Sequence, residues 1–188
     1  MALSSIALCS RALLKIGTRS ISSFDEGTAE AEVASSLYSP TRDAMLSSHS
    51  WSFATAQATL PRLDVIPVAD YQYAFQLPSD YLRVLSAGAG RGRGLDYRIQ
   101  EKRLHTDVPE VVLSYVFRPN ESDFPPFFDQ ALIARLAAEF CIPLTDSTSR
   151  TETLLNIAET ETKRARITDT MQETNRAIDD YPLIKARG

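Results

Sequence analysis

Apolar residues recur at three- and four-residue intervals near both ends of the chain and alternate with polar ones in between. That change of period predicts helices on either side of a β-rich segment. Over residues 4–16, Leu3, Ile6, Leu13, Leu14 and Ile16 spread around most of a helix, leaving Ser4, Arg11 and Lys15 as a narrow polar stripe. Gly17 suits its C-cap. After "TRSISSFDEG", the residues Val33, Leu37, Tyr38, Thr41, Ala44 and Met45 carry a second helix to Ser48. Pro40 falls inside that pattern and removes a helical hydrogen bond, which predicts a kink or short break with Ser39 capping a restarted helix.

From Trp51 to Phe117 the period becomes two. "YQYAFQLP" sets Tyr71, Tyr73, Phe75 and Leu77 against Gln72, Ala74 and Gln76, the pattern of a half-buried strand with its aromatics on one face. "DYLRVLSA", "LDYRIQEK" and "EVVLSYVFRP" read as further strands, separated by "GAGRGRG" and "HTDVPE", and together predict one small antiparallel sheet.

Helical spacing returns in "FPPFFDQALIARLAAEFCIP", where Phe128, Leu132, Leu136 and Phe140 repeat every fourth residue beside Ile133, Ala137 and Cys141. This helix should start at Pro125 and Pro126, end before Pro143, and be buried nearly all round. Ser149 and Glu152 form a capping box for a last helix running to Ala177, about 40 Å at 1.5 Å per residue. Its later inner face would hold Thr162, Ala165, Thr168 and Gln172, with Glu159, Glu161, Lys163, Arg164 and Arg166 around it. Such a helix is either solvated or packed against neighbouring copies. The apolar cluster Ile178, Tyr181, Leu183 and Ile184 beyond it calls for docking, on the chain itself or on a partner.

The fold class expected is therefore α+β, mainly α: a bundle of about four helices with an inserted small antiparallel β-subdomain. The division is 1–50 and 125–177 for the bundle, 51–124 for the insertion and 178–188 for a C-terminal docking tail. "SHSWSFATAQATLP" marks the first joint. There Trp51 and Phe53 read as packing between the two parts, with Ala54, Ala56 and Ala58 permitting close approach.

Composition narrows the chemistry. At 188 residues the chain can bury a core without disulfides, and its two cysteines read as buried thiols. The apolar start is interrupted by Arg11 and Lys15 and is read as the first folded helix rather than a leader. No apolar run is long enough to span a bilayer, so no membrane role is expected. The formal charge of -4 supplies no field for gripping phosphates. His49 and His105 lack metal-ligand spacing, and "GAGRGRG" matches no phosphate-binding loop, so no metal, cofactor or catalytic set is expected. Arg91 and Arg93 in that loop are candidates for a partner surface or a DNA-proximal contact. The acidic cluster Asp25, Glu26, Glu30 and Glu32 is the alternative enzymatic candidate, a cell-wall glycosidase pair. A DNA-packaging accessory role using the two arginines is the other alternative.

The order of three segments, "SHSWSFA", "YAFQLPSDYLRVLS" and "FPPFFDQALIARLAAEFCIPLT", after "ALCSRALLKIGTRSISSFDEG", resembles tail tubular protein A and related head-to-tail adaptors of tailed bacteriophages. The resemblance implies a non-enzymatic virion protein assembled in the host cytoplasm. It implies a ring of the chain with itself, usually of twelve copies, beneath the portal protein. That ring extends the channel for double-stranded DNA, passed without specific binding, and offers its lower face to the next tail protein, a nozzle or stopper. By position, the tail with Tyr181, Pro182, Leu183 and Ile184 would engage the portal, and "GAGRGRG" would form the tip facing the tail.

Overall fold

Helices and strands fall in three blocks along the chain in the computed structural model, which describes residues 3–89 and 93–172. The first block is α1 (Ser5–Lys15) and α2 (Ala29–Ser47). Ser4 caps α1 by accepting from the Ala7 N–H at 3.2 Å, and Gly17, at φ 79°, takes the left-handed conformation that stops it. The buried face of α1 is Leu8, Cys9, Ala12 and Leu13; Leu14 is 60 % exposed, so the apolar belt is narrower than the sequence pattern indicates.

Thr28 caps α2 through the Ala31 N–H. The helix then runs unbroken past Pro40, against the expected restart at Ser39. The carbonyl deprived of its partner belongs to Ser36, and both residues are exposed, so water can satisfy it without a break.

The second block holds six strands: β1 (Thr55–Thr59), β2 (Tyr73–Gln76), β3 (Tyr81–Gly88), β4 (Arg98–Gln100), β5 (Arg103–Thr106) and β6 (Val112–Phe117). They form two three-stranded antiparallel sheets, ordered β1-β6-β3 and β2-β5-β4, in place of the single sheet expected. β1 lies in the stretch read as small-residue packing, and β5 ends in the stretch read as a separator. In β2 both Ala74 and Phe75 are buried, so the strand is covered on two sides rather than one.

The reason is the layering. Val116 of β6 and Leu82 and Leu85 of β3 join the core of the helices, whereas Leu113, Tyr115 and Ala87 join a second core with Phe75, Leu77 and Leu104. The first sheet is thus sandwiched between the helices and the second sheet. As its central strand, β6 buries Leu113, Ser114, Tyr115 and Val116 in succession.

The third block is α3 (Pro126–Thr145) and α4 (Thr148–Thr170), joined by Asp146 and Ser147 and therefore antiparallel neighbours. Pro143 sits inside the last turn of α3 rather than beyond it, where its exposed edge costs little. Asp146, at φ 52°, ends the helix and donates its N–H to the Ile142 carbonyl. The α4 cap is Ser147, two residues before the predicted Ser149; its hydroxyl accepts from the Arg150 N–H at 3.4 Å. Met171 closes α4 at a length of 23 residues, about 35 Å, and residues 173–177 of the longer predicted helix lie outside the described part. Its inner face is Thr151, Leu154, Ala158, Ala165 and Asp169; Thr168 and Gln172 are exposed.

Candidate functional site

The chain enters the sheets through a sealed joint. Trp51 is fully buried and its indole N–H donates to the Met45 carbonyl at 3.0 Å, fastening it to the end of α2. Its ring meets Phe128 of α3 edge-on, with centroids 5.1 Å apart, and His49 at 4.9 Å. Phe53, partly buried, packs on Phe124 at 6.0 Å and on Phe128 at 5.0 Å. Edge-to-face pairs add about 0.5–1.5 kcal/mol each beyond their burial. Ser52, between the two rings, is held from the other side. Its N–H donates to Asp169 at 3.0 and 3.2 Å, and its hydroxyl donates to the same carboxylate at 2.6 Å. Asp169 is 2 % exposed, so the last turn of α4 is tied to the same joint.

Ion pairs hold the exit. Arg118, just after β6, donates from Nη2 to Asp43 Oδ2 of α2 at 2.6 Å. Arg42 bridges Asp43 and Glu121, at 2.9 Å to each. The Tyr38 hydroxyl donates to Glu121 at 3.0 Å. Partial burial pushes the Asp43 and Glu121 carboxyls up, but these hydrogen bonds and the arginine charges more than offset it, leaving both below the ordinary carboxylate range. Burial and the nearby Glu121 charge push the Tyr38 phenol well up.

The acidic cluster has local work. Glu26 accepts from the Ser22 hydroxyl and from the Ser22 and Ser23 N–H groups, and these bonds draw its carboxyl below the usual range. A glycosidase general acid needs the opposite shift. Glu30 and Glu32 stand in the first turn of α2, where the helix dipole favours them.

A second carboxylate behaves differently. Asp129, in the first turn of α3, is 7 % exposed, its Oδ1 has no hydrogen-bond partner, and burial pushes its pKa up to about 6 against the pull of Arg11. The Cys9 thiol, in the core, is pushed up to about 12 by burial. Among the described residues no group of three or more His, Cys, Asp or Glu could hold a metal ion, and no helix is long and apolar enough to cross a membrane.

In the "GAGRGRG" loop, Arg93 is exposed and Arg91 lies outside the described residues. A Cβ on Gly88 would fall 2.1 Å from the Arg93 backbone nitrogen, so the loop folds back against β3 where only glycine fits. Tyr181, Pro182, Leu183 and Ile184 of the tail also lie outside the described residues.

Two features had no clear sequence signal. Asp169 is one acid among many in a polar helix, and only its neighbour at the joint distinguishes it. The loop between β1 and β2 exposes Val65, Ile66 and Val68 at 56, 75 and 105 %, beyond any strand pattern.

The helical bundle is thus tied to the pair of sheets at two points, by the Ser52–Asp169 hydrogen bonds and by the Arg118–Asp43 ion pair. A family model described as tail tubular protein matches residues 6–181. The chain belongs to the tail tubular protein family, structural components of phage tails and hence of the virion. No curated protein matches the sequence.

Proposed function

We propose that the chain is the head-to-tail adaptor of a tailed phage: a closed ring of identical copies, twelve in the expected form, seated under the portal protein and continuing its DNA channel. The family membership carries this reading. The helices supply a face suited to side-by-side packing, since α4 exposes Ile157, Ile167 and Met171 at 44, 58 and 80 % along its outer side. The rigid joint at Trp51 and Ser52 and the ion pairs at Arg118 keep bundle and sheets in one relative orientation, which a ring of repeated contacts requires. A net charge of -4 favours a conduit that lets DNA pass rather than one that retains it.

In this reading the tail around Tyr181, Pro182, Leu183 and Ile184 grips the portal, and Arg91 and Arg93 lie at the tip toward the next tail protein. Electron microscopy of portal rings mixed with the chain tests it. Full-length protein should decorate the portal with a symmetric ring, and protein lacking residues 178–188 should fold but leave the portal bare. Equal decoration by the shortened protein removes the tail from the interface; no ring from either removes the adaptor assignment.

A further inference from the structure

Between α2, α3 and α4 lies an open groove of about 540 Å³, a size typical of ligand clefts, that the bundle leaves unfilled. Leu37, Pro40, Ala44 and Met45 form its α2 wall, and Ala158 and Thr162 its α4 wall. Its charges are ordered. Arg166 and Lys163 flank the end next to Ser48, and Glu159 and Glu139 lie farther along, with Arg135 paired to Glu139 at 2.6 Å. Arg166 donates from Nη2 to Ser48 Oγ at 3.1 Å, which fixes its positive charge at this end of the groove.

The geometry points to the chain's own C-terminal segment as the occupant of this groove, with Ile178, Tyr181, Leu183 and Ile184 on its apolar walls. The chain leaves α4 at the mouth of the groove: Arg166 lines it, Asp169 one turn later is tied to Ser52, and the helix closes at Met171. The groove runs along α2 from Ser48 back to Leu37, about 17 Å at 1.5 Å per residue. Five residues, 173–177, can turn the chain, and the seven from 178 to 184 reach about 23 Å if extended.

The charge order matches in that direction. Ile178 enters at the mouth, Asp179 and Asp180 follow at Arg166 and Lys163, then come Tyr181, Leu183 and Ile184, and then Lys185 toward Glu159 and Glu139. A tail seated there is covered in the free subunit and must leave the groove before it can serve any other surface, which sets the order of assembly. The seating stands independently of the identity of that other surface.

Cysteine cross-linking of the full-length protein without any partner tests it. Cys9 and Cys141 are fully buried and do not compete. In the pair Leu37→Cys and Ala186→Cys, which joins the far end of the groove to the residue that arrives there and spares the four apolar anchors, oxidation should close an intramolecular disulfide at least tenfold faster than in the control pair Ile99→Cys and Ala186→Cys. Adding Tyr181→Asp and Ile184→Asp should bring the rate down to the control. If the first pair fails to fold, Val33→Cys, one turn beyond Leu37 on the same face of α2, with Ala186→Cys repeats the measurement. Equal rates in test and control pairs overturn the proposal. So does a product of dimer mass, which would assign the groove to the tail of a second copy.

Discussion

Helices α3 and α4 are antiparallel partners of similar length, yet 11 of 20 residues are buried in α3 and only 5 of 23 in α4. α3 touches every part of the bundle and carries Phe128, Leu132, Leu136 and Phe140 at zero exposure. The buried residues of α4 are mostly small or polar, Thr151, Ala158, Ala165 and Asp169, with Leu154 the one large apolar side chain among them and Leu155 partly buried beside it. The difference separates two tasks. α3 specifies the fold, and α4 lends the molecule an outer surface whose composition is free to suit another protein.

The largest effect should come from α3. Phe128 receives the rings of Trp51, Phe53 and Phe124, so Phe128→Ala opens a cavity where helices and sheets meet and should cost about 3–5 kcal/mol in urea unfolding. A loss under about 1 kcal/mol would mean that the joint is loosely packed and that the two helices differ less than their burial indicates.

Next comes Asp129, the one charged side chain buried in α3. Its folded pKa stands near 6, above the ordinary 3.8, so its contribution is fully present below about pH 4 and is lost as pH rises through about 6. Asp43 and Glu121 act oppositely: their pKa values are depressed, so their contribution is present at neutral pH and is lost as pH falls. Together they place the stability maximum on the acid side of neutrality. Between about pH 4.5 and about pH 7.5 the wild type should lose about 1–3 kcal/mol, and Asp129→Asn should show little of that slope. An unchanged slope in the variant would assign the loss to another group.

On α4 the critical residue is polar. Asp169→Ala leaves the Ser52 N–H and hydroxyl without their acceptor and should cost about 1–3 kcal/mol, against less than about 0.5 for Thr168→Ala beside it on the exposed side. Equal costs would show that the last turn of α4 is not anchored at the joint.

The same contrast explains what could be read from the sequence. α3 was legible because large apolar residues repeat every fourth position, and α1 because its apolar positions stop at Gly17. β1 was not: its inward residues are Ala56 and Ala58, whose alternation with Thr55, Gln57 and Thr59 has almost no apolar amplitude, and pairing with β6 makes it a strand. The prolines misled because their penalty depends on whether the freed carbonyl meets water, which sequence does not state for Pro40 or Pro143. Among the site residues, Trp51 and Phe53 stood out as rare large rings at a change of period. Asp169 gained its importance from Ser52, 117 positions away, and from His49, whose Nε2 lies 3.8 Å from its carboxylate.

The smallest effect on the isolated chain is the most informative about its outer face. Ile167 is 58 % exposed on α4, so Ile167→Ser should change unfolding free energy by no more than about 0.5 kcal/mol. In an assembled ring that residue would be covered, and its loss should weaken subunit contacts and reduce ring formation on the portal, seen as fewer complete rings in micrographs at equal protein concentration. A stable variant that assembles as well as the wild type would place subunit contacts elsewhere. A variant that loses more than about 1 kcal/mol as a monomer would show that α4 is held by more than its inner line, and the division of labour between the two helices would fail.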